Sequence, residues 1–246
     1  MGRRGRGVLV DAGLPARLIE GRMAAAGLDP TGVEALVVTH EHRDHLSGVG
    51  AWARSYRVPV YMTAGCREAI SGGIARDQLD GAEVVEFEPG RAFEAGGFEF
   101  YPVPTSHDAA DSVGFRIADG TSVLGFATDL GVASPALIQG LQGAALLYLE
   151  SNHDESLLLS GPYPWFLKQR IRSCRGHLSN EACGALVSEL FHDGLKAVVL
   201  GHLSEVNNRR QLAYAATRQA LRKWKAEGSV MVLVARQDGP GRVLSV

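Results

Sequence analysis

The run Thr39-His40-Glu41-His42-Arg43-Asp44-His45 constrains this chain more than any other feature. Four metal-type donors, His40, His42, Asp44 and His45, fall within six residues, directly after the apolar stretch Ala35-Leu36-Val37-Val38-Thr39. Side chains alternate along extended backbone, so a His-x-His pair aims both imidazoles the same way. Asp44 and His45 then turn onto a helix expected to open near Ser47, where they face a second ion. Imidazole together with carboxylate suits zinc, iron or manganese. A lone histidine is usually structural. A cluster this dense at a strand end reads as a metal site.

The rest of the chain alternates short apolar runs with helical patterns. Residues 7–11, 35–39, 59–62, 83–87, 98–102, 114–117, 123–128, 144–150, 197–201 and 230–235 read as strands. Residues 15–26, 47–56, 135–141, 165–173, 180–192 and 209–227 read as helices, the last with Leu212, Ala216, Ala220 and Trp224 as its apolar stripe. Asp119-Gly120 signals a hairpin turn, and Ser179 ahead of Asn180-Glu181-Ala182 is placed to cap a helix. Strands interleaved with helices over 246 residues predict an α/β chain of layered sheets covered by helices. With no repeat or linker in view, a single domain over 1–246 is expected.

Bulk properties exclude some classes. No run of eighteen apolar residues exists to span a membrane, and the basic start Met-Gly-Arg-Arg-Gly-Arg-Gly lacks the apolar core of a secretory signal. Cys66, Cys174 and Cys183 are odd in number and outside any CxxC pattern, which fits a reducing cytoplasm rather than a disulfide framework. Net charge is only −2, but it is unevenly spread. Residues 168–225 carry eleven Lys/Arg against four Asp/Glu, and residues 1–167 carry twelve against twenty-one. An acidic half suits a cation site and a basic half suits phosphates, although solvated helix faces produce the same imbalance.

The HxHxDH segment resembles the signature of the metallo-β-lactamase fold, an αββα sandwich with a binuclear metal site at the sheet edge. That resemblance implies three further ligands at later strand ends. His107 in Thr105-Ser106-His107-Asp108, Asp129 in Ala127-Thr128-Asp129-Leu130-Gly131 and His202 in Leu200-Gly201-His202-Leu203 stand at those positions. By the family pattern His40, His42 and His107 hold one ion, Asp44, His45 and His202 hold the other, and Asp129 bridges. Two divalent ions, zinc, manganese or iron, are therefore the implied cofactors. Roughly 3.5–4 Å apart, they share a water and bring its pKa toward neutrality, and Asp44 orients the resulting hydroxide. Hydrolysis at phosphorus or carbonyl is the implied reaction type.

Glu150 in Glu150-Ser151-Asn152-His153-Asp154 and His177 in Gly176-His177-Leu178-Ser179-Asn180 occupy the slots of an acid–histidine pair in the phosphodiesterase branch, including transfer-RNA 3′-processing ribonucleases. A carboxylate there holds the imidazole's tautomer while the imidazole contacts phosphate or protonates the leaving oxygen. The chain is most similar to the YycJ/WalJ family. It shares Leu9-Val-Asp11-Ala-Gly13-Leu, the HxHxDH segment through Leu46-Ser-Gly48-Val, and Ser106-His107-Asp108-Ala-Ala110-Asp-Ser-Val-Gly114. Glu150-Ser-Asn-His153-Asp, Gly161-Pro-Tyr-Pro164-Trp165 and Arg175-Gly-His177-Leu-Ser179-Asn180-Glu are shared as well. The resemblance implies a 5′-to-3′ exonuclease on double-stranded DNA with a part in mismatch repair, built without the inserted cap domain of cleavage-factor nucleases. Only six residues precede the first family strand, so a truncated N-terminal strand is expected.

Lys168, Arg170, Arg172 and Arg175, just ahead of His177, are candidates for backbone phosphate. His153 reads equally as a phosphate contact or as a brace for the Glu150 loop. Asp11 is expected to support the ligands from behind, and His192 to offset a helix dipole. Trp165 with Tyr163 is either a base-stacking surface or an aromatic plug, and the plug is favoured because tryptophan is usually largely buried. A small-molecule hydrolase of the cyclic phosphodiesterase, lactonase or thioesterase type shares all seven ligands and stays open at this point, as does a non-enzymatic metal-binding module.

Overall fold

The computed structural model describes residues 2–3, 5–72, 79–226 and 228–245. Two compact units emerge, one built from Met1–Pro102, Ala109–Val113 and Gln237–Ser245, the other from Val103–Asp108 and Gly114–Arg236.

The first unit carries a sheet in sequential order: β1 (Gly2–Arg3), β2 (Arg6–Val10), β3 (Val33–Val37), β4 (Val60–Thr63) and β5 (Val84–Phe87). Strands β2 to β5 run parallel, and the two-residue β1 pairs antiparallel with β2. Helices α1 (Ala16–Ala25), α2 (Arg43–Leu46), α3 (Val49–Tyr56) and α4 (Ala64–Gly72) belong to the same unit. Both faces of β3 are covered, which is why its sequence is apolar almost throughout. Val49, Trp52 and Ala53 of α3 join Leu36 and Val38 in one buried cluster. The strand expected over 98–102 is β7 (Phe98–Pro104), and it forms a hairpin with β6 (Phe93–Ala95), which was not among the expected strands, through Gly96-Gly97. Both glycines sit at positive φ, 53° and 77°, as a tight two-residue hairpin loop requires.

In the second unit β8 (Val113–Ala118) and β9 (Val123–Ala127) form the expected antiparallel pair, with Gly120 at φ 84° in the turn. Next come β10 (Leu146–Glu150), β11 (Ala197–Gly201) and β12 (Met231–Val234), parallel to β9 and ordered β9-β10-β11-β12. Register pairs Ala127 with Leu149 and Glu150 with Gly201, so the C-terminal ends of three strands lie level at one edge. Helices α5 (Pro135–Leu141), α6 (Glu155–Ser160), α7 (Trp165–Arg172), α8 (Asn180–Leu190) and α9 (Arg210–Arg222) complete this unit. Ser179 caps α8 as expected, its hydroxyl accepting from the Ala182 amide at 3.1 Å.

Helix α9 corrects the expected stripe. Its buried residues are Ala213, Thr217 and Leu221, while Leu212 and Trp224 are exposed. Gly184 of α8 sits close to Ala216 and Ala220, so the two small residues of the expected stripe do face α8, while its bulky ends, Leu212 and Trp224, stay outside. Position 227, the expected end of that helix, lies outside the described residues. His192 is likewise not a dipole partner. Its Nδ1 accepts from the Gly194 amide at 3.1 Å, which leaves Nε2 to donate to the Ala144 carbonyl at 3.1 Å, so the ring staples a loop.

Among the described residues no helix is long and apolar enough to cross a membrane. All three cysteines are free; Cys66 and Cys183 are buried and Cys174 is exposed. Burial, reinforced by the Glu150 carboxylate, pushes the Cys183 thiol up to about 12, and burial raises Cys66 as well. Thiols held protonated and out of solvent do not alkylate. Iodoacetamide at pH 8 should therefore label native protein at Cys174 alone by peptide mapping, and early adducts at Cys66 or Cys183 would contradict this packing.

Candidate active site

The first unit assembles half of the expected donors at the C-terminal edge of β2 and β3. His40 follows β3, and its ring lies 4.6 Å from that of His42 and 4.2 Å from that of His45. Asp11, one residue past β2, organises them from behind, as expected. Its Oδ1 accepts from the Thr39 amide at 2.8 Å, and its Oδ2 accepts from the Thr39 hydroxyl at 2.9 Å and from His45 Nδ1 at 2.7 Å. Because Thr39 gives its only hydroxyl proton to Asp11, the 2.9 Å contact to His40 must be His40 Nδ1–H donating to Thr39 Oγ1. Both imidazoles are thereby fixed with Nδ1 protonated and Nε2 as the lone-pair nitrogen. His45 Nε2 lies 3.7 Å from Asp44, whose carboxylate is 67% exposed.

Backbone packing sets this geometry. Asp11 takes φ 59°, a conformation that Asp tolerates better than most residues, and the chain then turns through Ala12 and Gly13. Ala12 donates to the His45 carbonyl at 2.8 Å and accepts from Gly48 at 2.7 Å. Gly13 lies so close to the Asp44 carbonyl that a Cβ there would overlap it. Glu41 is turned aside to bind the Ala110 amide at 3.0 Å.

The second unit holds the other half. Asp129 follows β9, Glu150 ends β10 and His202 follows β11, all at the level edge described above. Glu150 is completely buried. Its Oε1 accepts from His177 Nδ1 at 2.8 Å and His202 Nδ1 at 2.7 Å, and its Oε2 from the Leu130 and Leu178 amides at 3.1 and 3.2 Å. Burial raises this carboxyl, but the two imidazole bonds outweigh it and hold it below the ordinary range. His177 mirrors the effect. Burial lowers it, and the Glu150 bond and charge more than compensate, leaving it raised.

His202 Nε2 points to Asp129 at 3.5 Å, and His107 Nε2 to the same oxygen at 3.7 Å. His107 Nδ1 is tied to the Gly176 carbonyl at 3.1 Å, and burial lowers its pKa, keeping the ring neutral as a ligand must be. Donor atoms of Asp129, Glu150, His177 and His202 fall within 4.8 Å of one another. Glu150 is not a ligand within that group, since four N–H donors already occupy its oxygens. Asp129 and His202 sit at φ 57° and 54°, the same kink that turns Asp11 inward.

The expected ligands thus divide, with His40, His42, Asp44 and His45 in the first unit and His107, Asp129 and His202 in the second. Glu150 serves two imidazoles rather than the one expected. Being buried, it is a positioning residue. Lys168 is corrected: it is buried, and its ammonium binds the Leu159 and Gly161 carbonyls at 2.7 and 2.8 Å, so it bolts α7 down instead of meeting phosphate. Arg170 pairs with Asp108 at 2.6 Å, Arg172 with Glu155 at 2.8 Å, and Arg175 reaches the His107 carbonyl at 3.1 Å; all three are exposed. His153 is buried, its ring 3.7 Å from Glu155, and that burial argues against the phosphate contact. The aromatic plug is also corrected, since Trp165 is 60% exposed.

A buried amide network escaped the sequence reading. Asn208 shares its amide protons among the Ser151 carbonyl (2.8 Å), the Asn152 carbonyl (3.0 Å) and Asn180 Oδ1 (2.9 Å). Asn152 holds the His202 carbonyl at 3.0 Å. These bonds lash together the loops that carry Glu150, His177 and His202. The only signal was asparagine recurring in Ser151-Asn152, Ser179-Asn180 and Asn207-Asn208.

A model of the beta-lactamase superfamily domain matches residues 6–202, and the chain belongs to the metallo-β-lactamase superfamily. Its sequence places it more finely, in the YycJ/WalJ family. It is 36% identical over 217 residues to exodeoxyribonuclease YycJ of Bacillus anthracis, covering 87% of this chain and 80% of that one. It is 34% identical over 207 residues to exodeoxyribonuclease WalJ of Streptococcus pneumoniae, covering 84% and 77%. The fold has the same company: the metallo-beta-lactamase fold protein YhfI from Bacillus subtilis superposes with TM-score 0.70 at 18% identity, over 96% of this chain and 87% of that one. The fold class is therefore the one expected, and it implies divalent metal ions. The donor chemistry fits them, because His40, His45, His107 and His202 each have Nδ1 bound from behind and Nε2 presented.

Glu150→Gln puts an NH2 group against N–H donors that now meet a carboxylate oxygen. Expected outcomes are about 3 kcal/mol less stability in urea unfolding and a 10–100-fold weaker metal affinity by chelator competition. An unchanged metal affinity would remove Glu150 from the support of His202. Gly13→Ala should cost about 1–3 kcal/mol in the same unfolding measurement. Full stability there would mean that the turn is not packed against Asp44.

Proposed function

We propose that the chain is a metal-dependent nuclease, a 5′-to-3′ exonuclease on double-stranded DNA. Its ion pair would be zinc, manganese or iron, held by the seven ligands as the family pattern assigns them. A bound pair supplies Lewis-acid polarisation and an acidified water. The observation that carries the reading is the single Glu150 carboxylate shared by His177 and His202. It keeps His202 oriented as a ligand and raises the pKa of His177 beside it, with Nε2 directed away from Glu150. An imidazole made more basic in that place suits a phosphodiester, where it binds a phosphoryl oxygen or protonates the departing alkoxide.

The relatives named as exodeoxyribonucleases support DNA as the substrate. Exposed Arg170, Arg172 and Arg175 on the segment that leads into His177 support binding to its backbone. On this reading the chain works as one catalytic domain without a cap, in the cytoplasm, with a part in mismatch repair.

The test is digestion of a duplex labelled at either the 5′ or the 3′ end by metal-reconstituted protein. Short labelled products should leave the 5′ end. Asp44→Ala should abolish them, and His177→Ala should slow them by about 10²-fold or more. No cleavage with any of the three metals would sink the nuclease reading and pass the site to cyclic-nucleotide, lactone and thioester substrates. Release from the 3′ end would reverse the polarity.

A further inference from the structure

We propose that Trp165 and Phe166 form a stacking platform for an unpaired or terminal base of the DNA strand that enters the site. The proposal rests on the nuclease reading for the identity of its ligand. At 60% and 71% exposure they are the most exposed aromatics among the described residues, and they are adjacent in sequence. Trp224, also exposed, differs in kind: its ring stacks on Phe191 at 5.4 Å and its Nε1 donates to Ser188. Exposing two neighbouring large rings to water is unfavourable unless something covers them.

The platform is held rigidly. Pro162 and Pro164 restrict the chain ahead of it, and Pro164 opens α7, its carbonyl accepting from Leu167 at 3.0 Å. The Lys168 ammonium fixes the opposite side of the helix to two carbonyls. Residues four apart share a helix face, so Phe166 and Arg170 stand in line, away from Lys168, with Trp165 and Gln169 beside them. One end of α7 is therefore aromatic and the other is cationic, about 6 Å along the axis. Arg170 uses one guanidinium N–H on Asp108, the residue after His107, and a guanidinium has five. From Gly161 to Leu178 there are four cations and no acid, and the same segment ends by delivering His177 to Glu150.

Charge and geometry together select the occupant. Bases inside a duplex are stacked on both faces, so only a terminal or unpaired base offers a free ring to Phe166 while its phosphates meet the arginines. An exonuclease has to engage that part of DNA.

Trp224→Phe leaves Trp165 as the exposed reporter, since Trp52 is buried. In that background a single-stranded DNA dodecamer with phosphorothioate links, which resist cleavage, should quench the Trp165 emission. A closed circular duplex without ends should quench far less at the same nucleotide concentration. Phe166→Ala should weaken dodecamer binding by about tenfold, and Phe166→Tyr should restore it. Quenching with this pattern in a protein that digests no DNA would keep the platform and discard the nuclease. Digestion without quenching, or with Phe166→Ala binding as the parent does, would discard the platform and keep the nuclease. An emission shift that follows protein concentration without DNA would show two copies meeting at these rings, and the platform would fall.

Discussion

The second unit is organised around one buried carboxylate. An ionised Glu150 with no access to water is tolerable only if its oxygens are saturated by donors, because the desolvation cost of an unpaired charge would exceed what packing returns. Four N–H groups meet that demand, and they come from three places in the chain: Leu130 after β9, His177 and Leu178 ahead of α8, and His202 after β11. The electrostatics therefore dictate a convergence of loops. The asparagine network answers the remaining backbone polar groups of the same loops, so neither cluster is satisfied without the other.

Asp11 repeats the device in the first unit with a shorter side chain. One carboxylate saturates a backbone amide, a hydroxyl and an imidazole, and through the hydroxyl it also sets the tautomer of His40. Both carboxylates sit where parallel strands end, and both bind imidazole at Nδ1, so that Nε2 faces away from the carboxylate. The kinks at Asp11, Asp129 and His202 belong to this arrangement. A strand end that continued in the extended conformation would aim its side chain to one face of the sheet, and a left-handed residue breaks that alternation. Such positions cost stability locally, and the surrounding hydrogen bonds offset that cost.

Much of this was legible in sequence because metal chemistry demands particular side chains at strand ends. The HxHxDH run could be found by residue type and spacing, His107, Asp129 and His202 followed from the family resemblance that it carries, and the parallel strands showed in their apolar runs. Properties that depend on which way a residue faces were not legible. Lys168 lies among arginines, and only the fold shows that its position on α7 points inward to two carbonyls. Trp165 follows two prolines and has the composition of a plug, yet the helix begins there and turns it outward. In α9 the four-residue spacing of Leu212, Ala216, Ala220 and Trp224 was real, but only its small middle residues approach Gly184, and the fully buried line runs beside them through Ala213, Thr217 and Leu221. Asn208 went unread because recurring asparagines carry no periodicity, and only its partners give it a role.

A division of labour follows within the second unit. The ends of β9, β10 and β11 carry the donors, while residues 151–178, between Glu150 and His177, build α6 and α7 and present the exposed arginines and aromatics. That segment is anchored at both ends by the same carboxylate, through β10 at its start and His177 and Leu178 at its finish. Its middle is fixed by Lys168 and by the Arg170–Asp108 and Arg172–Glu155 pairs, which are exposed and individually weak. The outer face of α7 can consequently change without disturbing a ligand, since no donor to Glu150 comes from it. The placement of the donors and the exposed face of α7 are thus separable in this unit: a saturated charge fixes the first, and the second supplies none of the groups that saturate it.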